Sequence, residues 1–302
     1  MPELPDIELY LHALRPRIVG KAVQAVRLAS PFLMRSIDPP IDAVIGVPIT
    51  GLSRLGKRIV WEFDGDLFAV FHLMIAGRFR WQERGAKIPG KLGLAAFDFA
   101  DATLLLTEAG SKRQASLYLV RGAVALGAHD PGGLEVLDAS VEAFARVLRS
   151  ENHTIKRALT DPHLLSGIGN AYSDEILHAA RISPMRLTAQ MTDDELARLY
   201  HHVVGTLTVW RDRLVEETAD GFPEKVTAFR DGMAVHGRFG KPCPVCATPV
   251  QRIRYAANEA NYCPTCQTGG KLLADRSLSR LLKDDWPRSL EELEKRKIER
   301  QG

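Results

Sequence analysis

Four cysteines, Cys243, Cys246, Cys263 and Cys266, are the only ones in the 302 residues, and they fall as two C-x2-C pairs within one short segment. Two thiolate pairs at knuckle spacing can surround one Zn2+ tetrahedrally. Disulfides are the competing chemistry, but the chain carries no secretory signal pattern, which favours metal. Four thiolates leave no open coordination position for a substrate, so the expected ion is one structural zinc. What it stabilises is a hairpin between Val250 and Tyr262, since a ribbon of this size has too little core to fold unaided. The tip of that hairpin suits a nucleic acid groove; a scaffold or protein-contact ribbon is the alternative.

A second candidate is Leu164-Leu165-Ser166-Gly167-Ile168-Gly169-Asn170-Ala171-Tyr172. Small residues such as Gly167 and Gly169 let backbone N–H groups approach a phosphate closely, Asn170 adds a side-chain donor and Lys156 a charge. Taken alone, the segment reads better as an ordinary helix-helix connection that needs its glycines only to bend. It is no nucleotide-binding P-loop, because no Gly-Lys-Ser/Thr follows. The third candidate is the start, Pro2-Glu3-Leu4-Pro5. With Met1 removed, Pro2 carries a secondary amine whose pKa lies near the ~8 of an α-amino group, well below that of lysine. Its unprotonated fraction at neutral pH can attack a sugar C1′ and form an iminium.

These residues need elements to hold them. With 45% hydrophobic and 25% charged residues the chain is globular in composition. Its longest apolar stretch, Leu67 to Ala76, is ten residues and too short to cross a bilayer, so no membrane span is expected, and a cytoplasmic, monomeric protein is. The formal charge is only +3, yet residues 238–302 hold 13 Lys and Arg against 8 Asp and Glu, which points that part toward phosphates. Ile7, Leu11, Leu14 and Ile18 mark one face of a helix. Runs such as Arg58-Ile59-Val60-Trp61-Glu62-Phe63 before Asp64-Gly65-Asp66 read as strands and hairpins. A Gly/Pro/Asp-rich linker spans Gly127 to Gly133, after which the pattern is helical through Arg211. The expected division is a β-rich domain over 1–126, a helical domain over 134–229, a four-cysteine ribbon over 235–270 and a largely helical tail over 271–302.

Pro2-Glu3-Leu4-Pro5, Gly56-Lys57, His72-Leu73, Gly167-Ile168-Gly169-Asn170 and the four cysteines occur in an order that resembles the formamidopyrimidine-DNA glycosylase and endonuclease VIII family, over residues 1 to about 267. The Pro-Glu-Leu-Pro start is similar to the formamidopyrimidine branch. The resemblance implies an α+β multidomain fold: an N-terminal β-sandwich with a leading helix, a helix-two-turn-helix domain and a C-terminal zinc ribbon. It implies damaged double-stranded DNA as partner and a glycosylase with abasic-site lyase activity in base excision repair, acting on oxidised or ring-opened bases. Pro2 then resembles the Schiff-base nucleophile, Glu3 the acid that protonates the opening deoxyribose, and Lys57 the proton donor for β-elimination. Lys156 and Asn170 resemble a phosphate-gripping pair, and His72 is read as a core residue.

The sequence also departs from the family pattern. The ribbon-hairpin arginine falls on Asn258, which implies that β-elimination outpaces δ-elimination. The wedge methionine position is Ile75, with Met74 beside it. The loop that supplies the other wedge residues reads Glu108-Ala109-Gly110-Ser111-Lys112-Arg113-Gln114, with Arg113 or Gln114 as candidates. Between Phe229 and Val235 lie only Arg230 to Ala234, too few for the lid that members handling 8-oxoguanine carry. The alternative function is a catalytically weakened zinc protein that binds damaged DNA.

Overall fold

The computed structural model describes residues 1–110, 112–255, 258–274 and 287–299, and it separates into two compact units: residues 1–133 with 208–228, and residues 134–207 with 229–302.

The first unit begins with α1 (Leu4–Ile18), whose residues Ile7, Leu11, Leu14 and Ile18 are all buried, as their spacing requires. Eight strands follow: β1 (Ala25–Leu28), β2 (Ile49–Leu55), β3 (Arg58–Phe63), β4 (Leu67–His72), β5 (Gly77–Glu83), β6 (Gly93–Asp98), β7 (Ala102–Glu108) and β8 (Ser116–Arg121). They form two antiparallel sheets ordered β1-β6-β7-β5 and β2-β3-β4-β8. Facing side chains of the two sheets make one core around Trp61, with Phe71 at 4.7 Å and Phe97 at 5.1 Å between ring centroids. Such aromatic pairs add to the burial of their area. A short helix, α2 (Ala123–Gly127), closes the sandwich segment.

The second unit contains α3 (Val141–Arg149), α4 (Ile155–Thr160), α5 (Asn170–Ala179) and the first part of α6 (Asp193–Thr218). It then takes in the ribbon hairpin β9 (Gln251–Tyr255) and β10 (Asn258–Tyr262), α7 (Pro264–Thr268) and a helix at Leu290–Glu299. That last helix falls within the tail expected over 271–302, of which residues 275–286 and 300–302 lie outside the described residues. The division differs from a helical domain ending at 229. Leu214 and Val226 belong to the sandwich core and Phe222 packs against it, so 208–228 group with the first unit, while the ribbon groups with the helices.

Candidate functional site

In the first unit the chain start is folded inward. Glu3 occupies the N-cap of α1, and its backbone N–H donates to Asp6 Oδ2 at 2.9 Å, which fixes the entry of the helix. Pro2 is buried, and Glu3 and Asp6 are 3% and 1% exposed. Lys57 follows Gly56 in the two-residue turn between β2 and β3. Gly56 has φ 61°, a left-handed value at the first central residue that a tight hairpin of this kind favours glycine to supply. Arg54 ties that turn to α1, donating from Nε to Glu8 Oε1 at 3.0 Å and from NH1 to the Gly56 carbonyl at 2.9 Å.

The electrostatics are those of cations held in a poorly solvated place. Burial pushes the Met1 α-amino group below its usual value; Arg78 and Lys57 push the same way, and Glu3 and Asp6 oppose them. Lys57 is likewise depressed by burial, with Glu3 pulling back. His72, at the end of β4 opposite Arg58, is pushed down to about 4 by burial and then by Arg58 and Lys57. So the Met1 amine, Glu3 and Lys57 lie within electrostatic reach of one another, with Pro2 buried between Met1 and Glu3 in the chain. His72, read as a core residue, titrates under the influence of that same cluster. Arg78 was missed; only its position just after the His72-to-Gly77 turn pointed to it.

Ile75 stands at the apex of the β4–β5 turn, 65% exposed, next to Met74 with φ 53°. Gly77 closes the turn by donating to the Leu73 carbonyl at 2.8 Å, and a Cβ there would sit 2.2 Å from that oxygen. The apex is therefore rigidly presented. In the neighbouring loop, Arg113 donates to the Lys91 carbonyl at 2.5 Å, and the buried Glu108 carboxylate accepts from the backbone of Gln114 and Ala115 at 2.9 to 3.0 Å. Both Arg113 and Gln114 are exposed; Ser111 lies outside the described residues.

In the second unit Gly167 takes φ 79° and Gly169 caps α5, which places Asn170 at the first helical position. Asn170 lines a groove of about 520 Å³ together with Lys156, Arg157, Thr154, Asn152 and Glu259. The Lys156 ammonium, expected to add charge for a phosphate, turns inward. It is 8% exposed and bonds to the Asn170 carbonyl, Ser173 Oγ and Asp174 Oδ1 at 2.7, 2.8 and 2.5 Å.

Helix α5 is buried from Ala171 to His178, and its polar residues reach the ribbon. Asp174 Oδ2 pairs with His236 Nδ1 at 2.7 Å and accepts from Asn261 Nδ2 at 3.2 Å. The Glu175 carboxylate accepts from the backbone N–H groups of Ala234, Val235 and His236 at 2.6, 2.9 and 2.8 Å. Burial raises its pKa while those amides pull it back. His178 Nε2 lies 3.2 Å from Cys243 Sγ. Sequence reasoning missed this network. Its signal was a helix with Ser173, Asp174, Glu175 and His178 buried among apolar neighbours.

The four cysteine sulfurs lie within 4.8 Å of one another as free thiols, with pairs at 3.3, 3.5 and 3.9 Å. A tetrahedron with Zn–S near 2.3 Å has edges of about 3.8 Å. Backbone N–H groups of Val245 and Cys266 point at Cys243 and Cys263 sulfurs at 3.5 Å, partners suited to thiolates. The donor set fits zinc. Asn258 opens β10 opposite Tyr255; its side chain lies outside the described residues. Of the two arginines on β9, Arg252 stacks on Phe239 at 4.3 Å and lies 3.6 Å from Glu259, while Arg254 is exposed.

Comparisons with known proteins agree with this anatomy. Residues 1–110 match the formamidopyrimidine-DNA glycosylase N-terminal domain, 132–211 the formamidopyrimidine-DNA glycosylase H2TH domain, and 240–269 the zinc finger found in FPG and IleRS. An uncharacterized formamidopyrimidine-DNA glycosylase-like protein of Mycobacterium tuberculosis is 42% identical over 151 residues, 50% of this chain and 94% of that protein. The formamidopyrimidine-DNA glycosylase of an Exiguobacterium species is 30% identical over 280 residues, 88% of this chain and 99% of its own. Among solved structures, Lactococcus lactis Fpg bound non-covalently to DNA containing an AP site superposes with a TM-score of 0.77 at 24% identity, covering 88% of this chain and 99% of that one. The wild-type L. lactis enzyme in complex with DNA containing an oxidized pyrimidine gives 0.77 at 25% identity, covering 88% and 100%. Three domain matches in order, and a full-length relative at this identity, mean that the chain belongs to the formamidopyrimidine-DNA glycosylase and endonuclease VIII family.

Proposed function

We propose that the protein is a monomeric, cytoplasmic DNA glycosylase and abasic-site lyase that removes oxidised or ring-opened bases from duplex DNA, with Pro2 as nucleophile once Met1 is removed. The observation that carries this reading is the buried chain start, where Pro2 is enclosed beside the buried Glu3, and where the Met1 amine and Lys57 are both held below their usual values by burial while Glu3 pulls back. The DNA in the solved relatives, one with an abasic site and one with an oxidized pyrimidine, supports the substrate class.

In the proposed reaction the neutral Pro2 nitrogen attacks C1′, the glycosidic bond breaks, and the base leaves with the electron pair and takes up a proton. Pro2 loses its own proton, the C1′–O4′ bond opens, and Glu3 protonates O4′, leaving an iminium between Pro2 and C1′. Loss of a C2′ proton then expels the 3′ phosphate as leaving group, with Lys57 as the proton donor for this elimination. Water hydrolyses the conjugated iminium and restores the amine. One zinc ion, held by Cys243, Cys246, Cys263 and Cys266, supplies the ribbon with its fold and takes no part in these bonds.

Borohydride on a duplex containing an abasic site tests this reading. A covalent complex mapping to Pro2 is expected, and Pro2→Gly should lose both trapping and strand cleavage. Unchanged trapping in that variant, or mass spectrometry showing Met1 retained in active enzyme, would overturn it. Metal analysis should return one zinc per chain. A metal-free preparation that binds duplex DNA normally would remove the ribbon from the binding surface. A DNA-binding protein without turnover would give no trapped complex.

A further inference from the structure

Two adjacent cations on α4 line the Asn170 groove, and they are held in opposite ways. An ammonium group has three N–H donors. Those of Lys156 have three acceptors inside the protein, the Asn170 carbonyl, Ser173 Oγ and Asp174 Oδ1, and its charge is compensated by a carboxylate that is 1% exposed. Asp174 in turn holds His236 and Asn261 through its other oxygen. A phosphate arriving in the groove would have to break one of these buried bonds to be gripped by Lys156. Arg157 is exposed, and its guanidinium has no acceptor among the described residues. The carboxylate in the groove wall, Glu259, is engaged by Arg252 at 3.6 Å and by Asn261 Nδ2 at 3.3 Å.

We infer that Arg157 is the cation that meets a DNA backbone phosphate in this groove, and that Lys156 is a positioning residue for the turn that presents Asn170. The assignment rests on the DNA reading above. A guanidinium offers paired donors matched to two phosphate oxygens, and Arg157 needs no internal bond broken to use them. Lys156 acts on the Asn170 carbonyl and, through Asp174, on the ribbon strand that carries Asn261.

Phosphate contacts are counted by the salt dependence of binding, with each lost contact lowering the slope of log K against log salt by about one. The experiment uses the zinc-loaded full chain and a duplex carrying a tetrahydrofuran abasic analogue, which binds without reacting, read by fluorescence anisotropy over a salt series. Arg157→Gln should lower the slope by about one, and Arg157→Lys should retain it. Lys156→Met combined with Asp174→Asn removes both buried charges together and so keeps the unit foldable. It should keep the wild-type slope, yet reduce the loss of affinity that Asn170→Ala causes, which a merely structural role would leave intact. An unchanged slope in Arg157→Gln, or a slope lowered by about one in the paired variant, would overturn the assignment. Wild-type binding that is absent, or indifferent to salt, would instead remove the DNA reading and the assignment with it.

Discussion

The two units bury ionisable groups to opposite effect. In the first, the Met1 amine, Lys57 and His72 are depressed by burial; Glu3 pulls back on the amine and on Lys57, Asp6 on the amine, and the charges acting on His72 are the cations Arg58 and Lys57. In the second, Lys156, Asp174, Glu175 and His236 are more deeply buried, yet each meets a partner at hydrogen-bond distance. A buried group left underpaired keeps its reactivity close to neutral pH, whereas a buried group fully paired becomes part of the frame. Burial alone therefore separates neither catalysis from architecture; the state of pairing does.

The largest expected effect lies in the first unit's cluster. Glu3→Gln keeps shape and removes the acid, so single-turnover base excision should fall by about 10²–10⁴-fold with little change in melting temperature. A fall of less than tenfold would place Glu3 with the architectural carboxylates and remove the contrast.

The paired set should respond in stability. Lys156→Met leaves Asp174 as a buried carboxylate opposite a methyl group, and removing one partner of a buried pair costs about 3–5 kcal/mol. Adding Asp174→Asn should return much of that loss, because the orphaned charge goes with it. Urea unfolding of the two variants is the check; equal stabilities would mean that Lys156 is better solvated than its 8% exposure indicates.

This contrast was only half legible in the sequence. The four cysteines, the Gly56-Lys57 turn and the α1 face could be read because spacing and backbone conformation are local properties. The fate of Lys156 could not, since its acceptors lie 14 to 18 residues away on another helix and a lysine beside an arginine carries no mark of which one turns inward. The same blindness applies to Glu175, whose partners are backbone amides about sixty residues on. The grouping of residues 208–228 with the sandwich was hidden because α6 is one uninterrupted helix across the division.

A third, smaller effect concerns pH. His72 has a folded-state value of about 4, below the 6.5 of an unfolded histidine. Between those values the unfolded chain holds the proton and the folded chain does not. The histidine's contribution is therefore fully present above pH 6.5 and is lost as pH falls toward 4, by on the order of 3 kcal/mol. His72→Asn should flatten that part of the acid limb in equilibrium unfolding. A limb of unchanged slope would show that the cluster around Lys57 is well solvated, contrary to the reading of the first unit.

The smallest effect is a matter of lesion choice, and it follows from how the paired unit uses its amides. Purine edges are read by hydrogen-bond donors, and large specificity ratios arise where such donors are left unsatisfied by the wrong base. The segment between Phe229 and Val235 is five residues long, and the N–H groups of Ala234, Val235 and His236 that close it are all donated to Glu175. What the segment does present is the Phe229 ring, 69% exposed, stacked at 5.5 Å on His236 and seated against Gly237, where a Cβ would come within 2.6 Å of the ring. An aromatic face stacks on any base and reads none in particular. Selection should then fall to ease of extrusion, which favours ring-opened purines, oxidised or saturated pyrimidines and abasic sites over well-stacked 8-oxoguanine paired with cytosine. With about one net hydrogen bond lost to the purine edge, the handicap of 8-oxoguanine should be roughly tenfold. Single-turnover excision across a matched set of duplexes measures it, and 8-oxoguanine opposite cytosine emerging as the fastest base substrate would mean that donors outside this segment read the lesion.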